Sequence, residues 1–491
     1  MFSFKNLSPG GRWTPLLAAC VLAGCASTPG VPPQQTVAEA IAGRTGSLAV
    51  GAADLSPLPD SVGATAAAAP VDARIDAWLA EPLSDASAVR IALLRHPQMQ
   101  TLLAELQLSQ AEARLDAQLP NPQLVLARLR EGDARELDRA LRFDLLGLVT
   151  LPWRQRAAER AEAAARWQAA QRVLLLAAQA RNAWVDAVAA ALMARQTAAA
   201  QEAAELGVEL GRRMVRAGNW SAWQLGQAEL ALAEARQRSL AAEHAAGLAR
   251  ERLVRAIGLA DAPERIRLPE RLPDLPAQLP LDAAAAERRA LAERLDLRAA
   301  REQAQQRAEA LGATRSTGAL DTLTLGVERN RISDPAGRTT QRGVELELSL
   351  PLFDAGGARN ARAQAELARA SAELREVAER ARTEARTAWA QWQRAHQAAR
   401  HWRDELVPLR QRLSEETLLR YNGMLTSPWD VLTQAAAQSA AVASAIAAER
   451  DFWFADTELQ LALTGTSPRG LERPSDAAPT AASATPTPQG H

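Results

Sequence analysis

At 491 residues the chain is long enough for several domains, but no stretch rich in proline and glycine near its middle separates independent cores. The 57 Lys and Arg residues balance 57 Asp and Glu residues, so nothing in the net charge indicates a nucleic-acid partner. Alanine, leucine, arginine and glutamate are abundant, whereas the chain has 1 Tyr and 6 Phe. This composition is typical of long helices packed through small side chains, and it predicts a mainly α fold.

The N-terminus resembles a lipoprotein signal. Residues 1–24 carry two basic side chains followed by a short apolar stretch, and the sequence LAGC ending at Cys25 is similar to a bacterial lipobox. The resemblance implies a signal peptide over 1–24, a diacylglycerol and an acyl chain on Cys25, and transport to the outer membrane because Ala26 is not Asp. An ordinary secretory signal with an incidental cysteine is the alternative. Cys20 and Cys25 are the two cysteines, so the mature chain forms no internal disulfide.

Between two ends of flexible composition, the sequence contains the same order of elements twice. Residues 25–80 and 466–491 are rich in Ala, Pro, Gly and Ser without apolar periodicity, which predicts a flexible lipidated extension and a disordered tail. Residues 81–265 and 266–465 each contain a helix, a pair of strand-like segments, and a long helix with a returning partner. A repeat at this period predicts two copies of one structural unit.

The strand-like segments alternate apolar and polar residues. We predict strands at about 122–130 and 140–151 in the first repeat, and at about 321–329 and 342–351 in the second. The length and alternation match strands of a membrane barrel, although a soluble hairpin lying on a helical core gives the same pattern. Four strands cannot close a barrel, so a membrane barrel requires several copies of the chain. Three copies supply twelve strands.

Each repeat also contains a very long helix that ends at a tip. We expect uninterrupted helices from Arg154 to about Arg216 and from about Ala358 to Arg420, roughly 95 Å long at about 1.5 Å per residue. The segments RMVRAGNWSAWQL and RYNGMLTSPWDVL follow, each with a glycine to end one helix and a serine to cap the next. These segments predict hairpin tips formed by Gly218, Ser221, Gly423 and Ser427.

The order of these elements resembles the TolC family of outer-membrane efflux ducts. The segment LSLPLFDAGGARNARAQAE is similar to the family's passage from strand to helix, and RYNGMLTSPWDVLTQA is similar to its second tip. The resemblance implies a homotrimer with a 12-stranded β-barrel in the outer membrane and a long α-helical barrel in the periplasm. It also implies efflux of small solutes or metal ions together with a periplasmic adaptor protein and an inner-membrane pump.

The resemblance further assigns a gate at the periplasmic entrance. Asp430 matches a carboxylate ring of the family and Tyr421 matches a tyrosine that helps to close the entrance, whereas Thr433 and Gln224 replace expected charges. A helix cap is the alternative role for Asp430. Two tip tryptophans are expected to be packing residues: Trp223 and Trp429.

The remaining residues give no sign of an enzyme or of a metal site. The five histidines are scattered, and no nucleophile, base and metal-ligand constellation is recognisable. The segments YNGML and ERDFWFADTELQLALTG resemble a heavy-metal resistance branch of the family. Two other classes of protein stay open as alternatives: a structural coiled-coil lipoprotein of the periplasm, and a periplasmic adaptor without a channel of its own.

Overall fold

A computed structural model describes residues 68–277, 281–318, 320–335, 337–349 and 355–471, together with positions 35, 37, 39 and 40. The predicted signal peptide at 1–24 and the predicted lipidation site Cys25 lie outside these residues. The predicted disordered tail over 466–491 is wrong at its start, because Pro468–Gly470 forms a 3-10 helical turn and Leu471 is buried in the core. From residue 472 onward the tail lies outside the described residues.

The first half of the chain forms three short helices, a β-hairpin and a long helical hairpin. Its elements are α1 (Ala68–Leu79), α2 (Asp85–Arg95), α3 (Pro97–Ala117), β1 (Gln123–Glu131), β2 (Ala134–Asp144), α4 (Leu145–Arg216) and α5 (Ala222–Ile257).

The second half repeats this order with two short helices, a β-hairpin and another long helical hairpin. Its elements are α6 (Ala283–Glu293), α7 (Leu295–Thr317), β3 (Leu323–Asp334), β4 (Gly337–Leu348), α8 (Gly357–His401), α9 (Val407–Asn422) and α10 (Pro428–Gln460). The fold is therefore mainly helical with a small antiparallel sheet, as the sequence predicted.

The four strands form one sheet in the order β1-β2-β3-β4, with every neighbouring pair antiparallel. The β2–β3 pairing joins the two halves of the chain, and β1 and β4 are the edges. Strand β4 begins earlier than the predicted 342–351 because residues near the turn pair through their backbones, which requires no apolar alternation.

The second predicted strand, 140–151, is wrong in its second half. Strand β2 ends at Asp144, and the chain enters α4 at Leu145. The Asp144 carboxylate accepts a hydrogen bond of 2.9 Å from the backbone N–H of Gly147 and so caps the new helix. The alternating pattern continues by chance into the first turns of a 72-residue helix that spans about 110 Å.

The second long helix is interrupted, contrary to the prediction of a continuous helix to Arg420. A π-helical turn at Trp402–Leu406 separates α8 from α9, and Pro408 follows it. Proline has no N–H and its ring clashes with the carbonyl of the preceding turn, so a wider turn accommodates it. The sequence expectation overlooked this proline.

The predicted flexible extension over 25–80 also needs a correction at its end. Residues 68–79 form helix α1, in which Ile75 and Leu79 are buried in the core. The exposed Asp76 between them in sequence accepts a hydrogen bond from Arg265. The apolar pair at i and i+4 docks the segment onto the body of the protein.

The main core lies midway along the helices, where both halves of the chain meet. Arg181 of α4 is 2% exposed and donates a hydrogen bond of 2.9 Å to Asp456 of α10. Trp392 of α8 donates another of 3.0 Å to the same carboxylate. A second buried arginine, Arg294, bonds Glu384 at 2.9 Å. Removing one partner from such a buried pair is strongly destabilising, so the Arg181–Asp456 contact holds the two halves together and the Arg294–Glu384 contact holds helices within the second half.

One helical segment of the described chain, Pro428–Gly465, is long and apolar enough to cross a membrane by length and composition. It comprises α10 and a terminal π-helical turn. In its most apolar window, 6% of the residues are fully buried and most of the others are half-buried. This part of α10 is therefore an apolar surface that one copy of the chain covers only in part.

Candidate functional site

The sheet has one apolar face and one acidic face near the helices. The register places Leu141, Val327 and Val344 side by side, and the next row contains Leu325 and Leu346. Val344 is 75% exposed and Leu346 is 62% exposed. Because such residues face lipid in membrane barrels, this face is suited to a bilayer.

The opposite face of the same strands is suited to water. Glu345 and Glu347 lie on it, and Glu328 is opposite Gly343. Arg142 forms an ion pair of 3.1 Å with Glu345. The two faces therefore differ in chemistry, as the alternation in sequence predicted.

At the first tip, α4 ends in a left-handed glycine. Gly218 has φ of 78° and donates its N–H to the carbonyl of Val215 at 3.0 Å. The Asn219 N–H bonds the Met214 carbonyl at 2.9 Å. This pair of bonds is the Schellman motif, in which glycine avoids the steric cost of positive φ.

At the second tip the same motif uses a different residue. Gly423 has φ of −81°, and Met424 takes the left-handed position with φ of 58°. The Met424 N–H donates to the backbone carbonyl of Tyr421 at 2.9 Å, and the Leu425 N–H donates to the backbone carbonyl of Arg420 at 2.8 Å. The expectation that Gly423 reverses the chain is thus wrong, because the glycine lies one position too early.

Both returning helices begin with a capping box. Ser221 caps α5 and its N–H bonds the Gln224 side chain at 2.8 Å. Ser427 caps α10 and its N–H bonds the Asp430 carboxylate at 3.0 Å. Gln224 and Asp430 therefore occupy equivalent positions, and one tip has a neutral cap where the other has a charged one.

Asp430 is exposed and accepts several hydrogen bonds. The hydroxyls of Thr426 and Ser427 donate to its carboxylate at 2.6 Å and 2.7 Å. Hydrogen bonds from Thr426 and then Ser427 lower the pKa of Asp430, because they favour the charged form. The residue is ionised at neutral pH and caps a helix while facing solvent.

The other predicted gate residues lie near the ends of three different helices at the tips. The Thr433 hydroxyl donates to the Trp429 carbonyl at 2.9 Å and is exposed. Tyr421 is half-buried in the last turn of α9. The structure places Tyr421, Asp430 and Thr433 on one hairpin, whereas Gln224 belongs to the neighbouring hairpin.

The tips pack together through a tryptophan that the sequence did not single out. Trp220 is 7% exposed and its ring meets Trp429 edge-on, with centroids 6.3 Å apart. A Cβ atom on Gly211 would lie 2.9 Å from the Trp220 ring, so only glycine leaves room for it. Trp223, expected to pack, is instead 72% exposed.

Above the tips a groove runs between α4, α5 and α10. Its volume is about 560 Å³, and alanines form most of its walls. Trp429 and Leu432 lie toward the tip, and Arg238 lies on the α5 side. Small side chains let the three helices approach closely and leave a smooth apolar furrow between the hairpins.

No protein-family model and no curated relative matches the sequence, but solved structures do. A membrane protein from Pseudomonas aeruginosa is 19% identical, with a TM-score of 0.65 over 77% of this chain and 92% of that one. VceC, an outer membrane protein from Vibrio cholerae, is 18% identical, with a TM-score of 0.64 over 77% of this chain and 95% of that one. CusC, described by its transmembrane channel formation, is 16% identical, with a TM-score of 0.63 over 78% and 92%.

The chain has the fold of outer-membrane channels. Further solved neighbours are also outer-membrane channels, including one from Campylobacter jejuni and one from Neisseria gonorrhoeae. The predicted resemblance to the TolC family is thereby confirmed at the level of the fold. These neighbours are membrane and channel proteins rather than enzymes.

Proposed function

We propose that three copies of this chain form the outer-membrane channel of a tripartite efflux system. The observation that carries the proposal is the four-stranded sheet with open edges, one exposed apolar face and one acidic face. Open edges in hydrocarbon leave backbone groups unpaired, and each unpaired group costs roughly several kcal/mol. Pairing β4 of one copy with β1 of the next removes them and produces a closed barrel.

The exposed surface of α10 supports the same assembly. An apolar helix surface that stays partly in contact with water is unfavourable, and 6% of the residues in the most apolar window of Pro428–Gly465 are fully buried in one copy. Packing this stripe and the alanine-lined groove against neighbouring copies builds a helical barrel. The long hairpins then extend about 100 Å from the membrane into the periplasm.

The tips supply the surface for a periplasmic adaptor, which links the channel to an inner-membrane pump. Three apolar side chains are strongly exposed there: Trp223 at 72%, Leu425 at 80% and Met424 at 94%. A docking partner would remove them from water. We assign the gate to Asp430 and Tyr421, with Gln224 and Thr433 as its uncharged positions.

The cargo class is small solutes or metal ions. Among the described residues no group of three or more His, Cys, Asp or Glu side chains is placed to hold a metal ion.

The chain is held to the outer membrane by lipid on Cys25. Replacement of the anchor, Cys25→Ser, should abolish incorporation of radioactive palmitate. Continued labelling of the variant would overturn the anchor.

The membrane proposal is tested by a pair of neighbouring substitutions in β4. Leu346→Arg places a charge on the lipid-facing side and should reduce the free energy of unfolding in bilayers by about 2–4 kcal/mol, whereas Glu347→Arg faces water and should cost far less. Urea titration of protein inserted into vesicles measures both. Equal tolerance of the two substitutions would favour a soluble hairpin.

The gate is tested by single-channel recording in planar bilayers. Three Asp430 carboxylates around a narrow entrance attract cations, so Asp430→Ala should lower the cation preference of the current. Glu415→Ala, an exposed acid on the same hairpin, is the control and should change it less. Unchanged selectivity in Asp430→Ala would leave Asp430 as a helix cap and remove the gate assignment.

A further inference from the structure

The two faces of the sheet carry opposite charge at the end far from the helices. Cross-strand partners share a face, so the register sorts every charged strand residue. The face that carries the apolar rows also holds eight arginines and no acidic residue. These arginines, here called the arginine belt, are Arg128, Arg130, Arg135, Arg139, Arg329, Arg331, Arg338 and Arg342.

The belt forms three successive rows between the apolar rows and the hairpin turns. The first row contains Arg139, Arg329 and Arg342, directly beyond Leu141, Val327 and Val344. The second contains Arg128 and Arg331, and the third contains Arg130, Arg135 and Arg338. Rows on one face are about 6.8 Å apart along a strand, so the belt covers about 14 Å of strand length.

The opposite face at this end is acidic. The acidic residues on this face occupy strand positions that alternate with the arginines: Glu136, Asp138 and Glu328. These acids do not neutralise the belt across the sheet. All eight arginines are exposed, and none forms an ion pair with any described residue. The belt is therefore a concentrated positive surface without ion-pair partners among the described residues.

The position of the belt restricts those partners. It continues the face that we assign to the bilayer, and it starts one row beyond the exposed apolar residues. Arginine is costly in the middle of a bilayer and nearly neutral at the interface, where its long side chain reaches the headgroups. The guanidinium group also binds phosphate through two parallel hydrogen bonds.

We propose that the arginine belt binds the phosphate groups of anionic lipids at the outward-facing surface of the membrane. This inference rests on the proposed insertion of the sheet, and it assigns a lipid class that the channel function does not require. Three copies present twenty-four arginines around the barrel, and a second copy of the same face is excluded as the partner because it would repel. The apolar band is three rows high, so the bound headgroups lie close to the protein and thin the bilayer locally.

The test uses full-length protein reconstituted into phosphatidylcholine vesicles with or without diphosphoryl lipid A, a glycolipid with two phosphates. Native mass spectrometry after mild detergent extraction counts the lipids that remain bound. The protein should retain diphosphoryl lipid A in preference to phosphatidylcholine, with monophosphoryl lipid A intermediate. If inserted protein retains the three lipids equally, the proposed binding of lipid phosphates by the belt is overturned, whereas the channel proposal still stands.

A matched pair of variants assigns the binding to the belt. The triple substitution Arg130→Gln, Arg135→Gln and Arg338→Gln should lower lipid A retention by about tenfold or more, since each arginine near an anionic surface contributes about fivefold. The control removes the same charge from exposed helix positions: Arg288→Gln, Arg410→Gln and Arg412→Gln. Equal losses in both variants would overturn the assignment.

Two further arms separate the remaining outcomes. Inorganic phosphate at the same phosphate concentration should not displace the lipid, and displacement would show a site for free phosphate instead. Wild-type protein that fails to insert into any vesicle would overturn the proposed function and this inference together. Because the comparison among lipids needs no substitution, it holds even if the belt variant does not fold.

Discussion

The two hairpin tips share a backbone and differ in the side chains that hold it. Both end the outgoing helix with a Schellman motif and begin the returning helix with a capping box. The first uses Gly218 at the left-handed position and neutral Gln224 in its box. The second uses Met424 and charged Asp430 at the same places. The turn depends on main-chain hydrogen bonds, so the side chains are free to diverge.

The divergence makes the first tip the more tightly held of the two. Trp220 is buried there against Gly211, whereas the equivalent position of the second tip is Thr426, which bonds Asp430. The second tip also contains a strained, 94% exposed methionine. Strain at exposed residues is commonly found where a protein must move or bind.

The largest effect should follow from removing the buried tryptophan. Trp220→Ala should lower the local opening free energy of the first tip by about 3–5 kcal/mol, because it empties a packed site. Hydrogen exchange of the tip amides measures this loss. Trp223→Ala, at an exposed ring, is the control and should fall within about 0.5 kcal/mol of wild type. Similar losses at both positions would contradict the difference in burial.

Substitutions at the two left-handed positions should change the stabilities of the two tips in opposite directions. Gly218→Ala places a Cβ at positive φ and should destabilise the first tip by about 1 kcal/mol. Met424→Gly relieves the same strain and should stabilise the second tip by about 0.5 kcal/mol after the entropy of the glycine. Hydrogen exchange in both variants gives the two signs, and a shared sign would contradict the strain at Met424.

A smaller effect should come from Glu449, which faces the π-helical turn of the second hairpin. Burial raises the pKa of Glu449, Asp274 and Asp404 raise it further, and Arg403 opposes them. A raised pKa means stability that is present at low pH and is lost as the pH rises through it. Glu449→Gln should therefore stabilise the second hairpin at pH 7.5 and have less effect at pH 4.

The matched control is the exposed Glu243, which holds the equivalent place in the first hairpin. Glu243→Gln should leave the stability of the first hairpin at pH 7.5 within about 0.5 kcal/mol of wild type, as measured by hydrogen exchange. If Glu449→Gln destabilises the hairpin at pH 7.5, the side chain stabilises it as a charged group and the assigned direction is wrong.

The smallest effect concerns the two caps. Because hydrogen bonds from Thr426 and Ser427 lower the pKa of Asp430, its cap contributes stability above the ordinary aspartate pKa. That contribution is lost as the pH falls through the lowered value, while Gln224 does not titrate. Acid titration followed by exchange at the start of α10 and of α5 should show fraying of α10 first. Simultaneous fraying would indicate that the carboxylate does not hold the cap.

Much of the fold was predictable because it depends on periodic patterns. Alternating strands and long helical stretches appear directly in the sequence, and the serine caps were found from local chemistry. The change from β2 to α4 was missed because Asp144 decides it through a single hydrogen bond, against an alternating background. The π-helical turn before Pro408 was missed because a long alanine-rich pattern concealed the proline.

The site was less predictable because it depends on which residues meet in space. The repeat offset that aligns Trp223 with Trp429 also aligns Gly218 with Met424, but the glycine at 423 drew the prediction one position too early. The local signal that was missed is the position of Trp220 directly before the capping Ser221, where an apolar residue commonly packs against the fourth helical residue, here Leu225. The charge segregation of the sheet required the register, which no single strand reveals.

The pairing of β2 with β3 has a consequence for how the chain folds. Partners such as Arg139 and Arg329 are separated by roughly 190 residues, and contacts this distant in sequence form slowly. During synthesis the first β-hairpin is complete long before its partner exists, with a bare strand edge that invites pairing with the wrong chain. A chaperone that shields that edge until the second half arrives would therefore determine the yield of correctly folded protein.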